Sequence, residues 1–282
     1  DILEILPRFN LLTQVIVDYE ACQRITLECL EDAAREGLDY VEVRFSPLFM
    51  AEPHDLDPLS ITSVVCEAWQ EAQSLYPVKS SLIVILSRTY GPEACETELE
   101  AALAYRQSGV TGLDLAGDEA RHPASQFVRH FERARQAGLR LTAHAGEFDG
   151  AESVRQTVLQ LAPERLGHAV HAADDPAVLD LLAEKQVAIE CCPTSNYYTT
   201  AVTRLAAHPL PLFLVRGLCA TLNTDDPSLF HSIDVVHEYR LVRDEMGLSP
   251  AGLRQIQKNG LQAAFLTEEE RLRLVQAKSK TT

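Results

Sequence analysis

No Cys-x-x-Cys pair occurs among the seven cysteines of this 282-residue sequence. An odd count without regular spacing argues against a disulfide framework and for reduced thiols, as in a cytoplasmic protein. No apolar run approaches the ~20 residues that a helix needs to cross a bilayer. The longest candidate is Leu82 to Leu86, and no signal peptide is evident at the start. Positive charge is scarce as well, with 25 Lys and Arg against 41 Asp and Glu, a formal charge of -16 and a pI near 5.0. Such a surface repels phosphate backbones and anionic lipid, so neither nucleic acid nor a membrane is expected as a partner. A neutral or cationic small molecule fits better. Linkers rich in Pro, Gly or Ser, low-complexity tracts and solenoid repeats are missing too. Residues 1–282 are therefore expected to form a single domain, of a size that α/β barrels reach.

What is present is a repeated unit of short apolar strand, loop and helical segment. Residues 2–37 read as helical, with Cys22, Ile25, Cys29 and Ala33 at steps of three and four, a boundary at Pro7, and Gly37 placed to end the last helix. In DYVEVRFSP, Val41, Val43 and Phe45 alternate with Glu42, Arg44 and Ser46, a strand whose second face is charged. Further strands are expected at 80–89, 110–119, 139–147, 164–170, 187–196 and 219–227, with helical patterns such as 125–138 and 176–186 between them. Cys191 and Cys192 read as core residues of one such strand, since free cysteine packs as a small hydrophobe.

This alternation calls for parallel strands with crossover helices. An open doubly wound sheet and a (β/α)8 barrel both satisfy it, and the positions of the polar residues favour the barrel. Gly117, His144 with Glu147, His168, Ser195 with Asn196, and Asp225 with Asp226 all fall at the C-terminal ends of different strands. A barrel gathers such ends around one mouth, whereas an open sheet spreads them along an edge. Seven strand-helix units are visible where the closed barrel has eight. The helical opening places the missing unit, the first strand, before residue 1.

His144 shares a strand face with Thr142 and Gly146 that is expected to point into the barrel. His168 is expected to point inward as well, by alternation with Leu166 and Val170, and Asp225 to share the inward face of Thr221 and Asn223. Each has a plainer reading: a hydrogen-bonded core histidine, or an Asp-Asp-Pro that only begins a turn. His171 is expected at the surface. His54, His122, His130, His208, His231 and His237 are assigned no catalytic work. Considered together, His144 and Asp225 suggest part of a hydrolytic zinc site. Such a site combines histidine and carboxylate ligands, keeps one position for water and lowers that water's pKa. Two ligands are too few for it.

LDLAGDE (113–119), HAGE (144–147), LGHAV (166–170), CPTSN (192–196) and LNTDDPSLF (222–230), in this order and spacing, resemble the adenosine deaminase family across essentially the whole chain. HAGE together with NTDDP is the specific part of the resemblance. It implies a (β/α)8 barrel that holds one Zn2+ through a His-x-His pair on the first strand, the histidine of HAGE and the first aspartate of TDDP. The last two correspond to His144 and Asp225. No His-x-His occurs in this sequence, which is the principal departure.

The resemblance further implies that Glu147 protonates N1 of a purine, that His168 orients the attacking water and stabilises charge, and that Asp225 accepts a proton from that water. Asp226 and the backbone N–H of Gly117 would bind the ring at N7 and N3. The implied reaction converts adenosine or 2′-deoxyadenosine to inosine or 2′-deoxyinosine and ammonia, in purine salvage. Relatives act on adenine or on metabolites such as aminodeoxyfutalosine, and LDLAGDE favours the nucleoside branch. A different reading is a metal-free binding protein that has lost its first strand. The joint retention of Glu147, His168 and Asp225 speaks against it, as do the unpaired edges that such a loss would leave.

Overall fold

The computed structural model describes residues 2–230 and 233–279. Seven parallel strands form one curled sheet in sequence order: β1 (Tyr40–Phe45), β2 (Lys79–Ser87), β3 (Val110–Ala116), β4 (Arg140–Ala145), β5 (Arg165–His168), β6 (Ala188–Cys191) and β7 (Ala220–Leu222). Helices follow the strands and cover the outer face, as in a (β/α)8 barrel. Among the described residues no ladder joins β7 to β1, so the sheet stops one strand short of closure.

Strand alternation explains how the sheet separates its two faces. Leu82, Val84 and Leu86 of β2, Leu113 and Leu115 of β3, Leu141, Ala143 and Ala145 of β4, and Ile189 and Cys191 of β6 belong to the apolar core beneath the helices. The residues between them point into the barrel, and many of these are polar or charged: Glu42, Arg44, Asp114, Thr142, His144 and Glu190. Successive residues of a strand face opposite ways, so one period-two pattern builds a dry outer layer and a charged interior at once.

The interior charges are paired. Arg165 lies 2.6 Å from Glu42 and 2.7 Å from Glu190, while Arg44 lies 2.9 Å from Asp114 and 2.5 Å from Glu190. Buried charges persist only when paired in this way. At the N-terminal end of the strands, Phe265 closes the interior. Its ring lies 3.4 Å beneath the Arg165 guanidinium, and its N–H donates to Glu42 at 2.6 Å.

Several helices start from a capping side chain followed by proline. Asp57, Asp175 and Ser249 accept N–H groups from the first turns of Pro58–Leu75, Pro176–Lys185 and Pro250–Ala263. The cap satisfies an orphan donor, and proline fits the first helical position because its missing N–H has no partner there. Gly37 ends the helix Tyr19–Arg35 with φ +75°, as the sequence predicts.

Three expectations are corrected. Pro7 lies inside the helix Ile2–Thr13, and the break comes later, before Asp18 caps the next helix. The strand read as 187–196 ends at Cys191, because Pro193 opens a helix, Pro193–Tyr198, that carries Ser195 and Asn196. The strand read as 219–227 is only Ala220–Leu222, so Asp225 stands in a loop. His231 lies outside the described residues.

Candidate active site

β4 delivers His144 to the barrel mouth. Its ring packs against Gly167 of β5, where an added Cβ would sit 3.1 Å from the imidazole and would crowd the ring by a few tenths of an ångström. Asp114 Oδ1 of β3 holds His144 Nδ1 at 3.2 Å and leaves Nε2 facing the mouth. Burial opposes the charged form of His144, but the Asp114 carboxylate outweighs it and lifts the histidine pKa to about 9. Burial alone would raise the pKa of Asp114. His144 and Arg44 instead hold it below the usual carboxylate range.

His168 reaches the same space by a route the sequence pattern does not show. Leu166 and His168 have the same parity and would face the same way in a regular strand, yet Leu166 belongs to the outer core. The backbone of His168 is left-handed, with φ +62°, and Ala169 follows at φ +47°. That turn brings the His168 ring inward to 5.0 Å from the His144 ring. Inward placement is thus found, though not by alternation. Asp225 is likewise left-handed, with φ +59°, and is not on a strand face with Thr221. Such backbone costs roughly 1–3 kcal/mol at a non-glycine residue and persists where surrounding contacts impose it.

The result is a compact cluster. One ligand atom each from His144, His168 and Asp225 lie within 4.8 Å of one another, a set of two nitrogens and one oxygen that could hold a metal ion. His168 Nε2 is 3.9 Å from Asp225 Oδ2 and 3.4 Å from Glu147 Oε2. Glu147 is 8% exposed and accepts a hydrogen bond from Thr199 Oγ1 at 3.3 Å. Burial first, and then the charge of Asp225, push its pKa well above the ordinary carboxylate value. His168 moves the other way, lowered to about 4 by burial, so it is neutral at pH 7. Asp226 is raised to about 8 by burial and by Asp225 beside it.

Gly117 ends β3 in a left-handed conformation, φ +112°, where an added Cβ would lie 2.4 Å from Thr89 Oγ1. His171 is half-buried and pairs with Asp174 at 2.8 Å, and Ser195 Oγ is buried with no hydrogen-bond partner among the described residues.

Sequence reasoning missed three supports. Asp114 was legible in principle, since alternation in LDLAGDE turns it inward. Glu119, past the end of β3, accepts backbone N–H groups from Gly146, Glu147, Phe148 and Asp149 and the hydroxyl of Ser153. His208, 3% exposed, bonds to Asn196, which bonds to His168. Neither of the last two carries any periodic signal.

Comparison with known proteins agrees with this arrangement. The family model described as adenosine deaminase matches residues 1–280. Adenosine deaminase of Klebsiella pneumoniae (strain 342) is 46% identical over 280 residues, which cover 99% of this chain and 84% of that protein. Adenosine deaminase of Escherichia coli (strain SE11) is 46% identical over 271 residues, 96% of this chain and 81% of that one. Among solved structures, adenine deaminase from Arthrobacter aurescens superposes with a TM-score of 0.91 at 26% identity, covering 99% of this chain and 85% of its own. The motifs, the curled parallel sheet and the likeness along nearly the whole length together place this chain in the adenosine deaminase family.

Proposed function

We propose that this chain hydrolyses adenosine, and 2′-deoxyadenosine, to the corresponding inosine and ammonia, with Zn2+ as cofactor and a role in purine salvage. The observation that carries the reading is the convergence of His144, Glu147, His168 and Asp225 from three separate strand ends in a chain 46% identical to adenosine deaminases.

Part of the cluster fits a metal: the imidazole of His144, oriented by a carboxylate behind it, and the carboxylate of Asp225 beside it. His144 and Asp225 would hold the ion. When bound, it supplies an activated water at neutral pH. Glu147, held neutral by burial and by Asp225, donates its proton to N1 of the purine and makes C6 electrophilic. Asp225 accepts a proton from the attacking water and passes it to the C6 amino group, so that the C6–N bond breaks with release of ammonia while the C6 hydroxyl proton returns to Glu147. His168, neutral and 3.4 Å from Glu147, directs that water toward C6 and stabilises the charge that develops there. Asp226, whose pKa burial and the adjacent Asp225 push upward, would donate a hydrogen bond to N7, and the N–H of Gly117 would serve N3. The seven free cysteines agree with a cytoplasmic location.

The test is turnover of adenosine by protein supplied with zinc, with adenine as the comparison substrate. Conversion of adenosine to inosine, well above conversion of adenine, is expected. Metal-loaded protein that leaves adenosine untouched, or that prefers adenine, overturns the nucleoside reading.

A further inference from the structure

His168 has two ring nitrogens, and the proposed chemistry depends on which one carries the proton. Nε2 faces Glu147 and Asp225, while Nδ1 points away, 3.0 Å from the side-chain amide of Asn196. The same amide contacts His208 Nε2 at 3.1 Å through its oxygen. His208 Nδ1 in turn lies 3.1 Å from the backbone nitrogen of Leu210. All three side chains are buried, at 2% exposure for His168, 0% for Asn196 and 3% for His208.

The direction of this chain is set at its far end. A backbone N–H can only donate, so Leu210 requires an unprotonated Nδ1 on His208. A neutral His208 then carries its proton on Nε2 and donates it to Asn196. The oxygen of Asn196 must face that donor, which turns its NH2 toward His168. An NH2 only donates, so His168 Nδ1 must be a lone pair and the proton must reside on Nε2. Reversing the Asn196 amide would set two donors against each other at His208 or leave buried polar groups unmatched, which is costly in a dry interior.

We propose that Asn196 and His208 are positioning residues that hold His168 in the tautomer with its proton on Nε2, the nitrogen that faces Glu147 and Asp225. The inference rests on the deaminase reading for its catalytic consequence, though the tautomer itself does not. Neither residue touches the reacting atoms. Their effect is to present an N–H donor, rather than a lone pair, to the space that His168 shares with Glu147 and Asp225. A one-residue relay anchored on a side chain could flip. This one ends on the peptide backbone.

The experiment uses the whole protein labelled with 15N-histidine. The His168 signals are identified by their loss in His168→Gln, and protonated and unprotonated ring nitrogens are distinguished by their 15N shifts. Wild type is expected to show an unprotonated Nδ1 and a protonated Nε2 at His168. Asn196→Asp is close to isosteric, but its carboxylate accepts from both rings, so His168 should acquire a proton on Nδ1. Its kcat should fall at least about 100-fold, with KM for adenosine within about threefold, as for a histidine held in the wrong tautomer. His208→Gln keeps a donor near the Nε2 position and should retain most activity. His208→Phe removes the donor, frees the amide to turn, and should lose kcat without a matching change in KM. A His168 protonated on Nδ1 in wild type overturns the proposal, as does an Asn196→Asp variant that folds and keeps full kcat. A protein that shows the Nε2 proton but does not deaminate adenosine overturns the functional reading and supports the tautomer assignment.

Discussion

The carboxylate of Glu119 receives the backbone N–H of Glu147 at 3.0 Å. Its two oxygens also take the N–H groups of Gly146, Phe148 and Asp149, so one side chain beyond β3 holds the whole turn beyond β4. These donors, together with Arg88, keep Glu119 ionised against the burial that would raise its pKa. The proposed proton donor therefore rides on a loop clamped from its backbone.

Glu119→Gln should be costly for both stability and turnover. An amide replaces one accepting oxygen with a donor that faces backbone N–H groups, leaving at least one buried donor unmatched. A loss of about 2–4 kcal/mol is expected in urea unfolding. The kcat for adenosine should fall with it, because the Glu147 loop loses its anchor. Unchanged stability would remove Glu119 from this role.

Glu147→Gln is expected to leave the fold intact and nearly abolish turnover. The amide oxygen can still accept from Thr199 Oγ1, which now bonds Glu147 at 3.3 Å, but the side chain has no acidic proton to deliver. A decrease in kcat of about 10^2- to 10^4-fold is the scale for losing a general acid. Steady-state kinetics on the variant, with circular dichroism to verify folding, decide the matter. A variant that retains wild-type kcat rules Glu147 out as the acid.

Asp114→Asn should weaken metal binding without removing a ligand. Asp114 fixes His144 through Nδ1 at 3.2 Å, and an amide holds the ring less firmly and with less charge. Losing an orienting carboxylate of this kind lowers metal affinity by about 10- to 100-fold. Competition with a chelator, read by metal analysis of the desalted protein, tests it. Equal affinity in wild type and variant would show that His144 is held by other contacts.

Glu98 gives the fold a pH dependence of its own. It is fully buried, and burial raises its pKa to about 7 despite hydrogen bonds from Ser46 and the N–H groups of Ser87 and Leu48. The folded state thus binds this proton more tightly than the unfolded chain, whose value is near 4.5. Stability from this group is fully present below the unfolded pKa and is lost as pH rises from there through about 7. The loss should amount to about 3 kcal/mol. Glu98→Gln cannot titrate, so the difference in urea midpoint between pH 5 and pH 8 should be smaller than in wild type. Parallel pH curves for the two proteins would contradict it.

Much of the barrel is legible in the order of residues alone. The alternation Val41, Glu42, Val43, Arg44, Phe45 already separates a helix-facing side from a charged interior, and β1 realises it. The pattern overruns the strand ends at β6 and β7. There the chain leaves the sheet without any change of period to announce it: Pro193 opens a helix just past Cys191, and the polar run Asn223-Thr224-Asp225 follows Leu222 out of the ladder. Of the site, His144 follows from alternation alone. The inward turn of His168 does not, because it depends on a left-handed backbone that sequence parity contradicts.

The sequence by itself determined the order of strand and helix, the face each strand buries, and which reactive residue types stand at the strand ends. Local periodicity and turn chemistry suffice for these, since they act over a few neighbouring residues. Tertiary structure decided which groups meet: Glu119 with the loop of Glu147 nearly thirty positions away, Asp114 with His144, and the line from Leu210 through His208 and Asn196 to His168. Those partnerships arise only when the sheet curls and brings distant strand ends together. Hydrogen bonds and buried charges then select one matching set of donors and acceptors, a choice with no counterpart in any local pattern of residues.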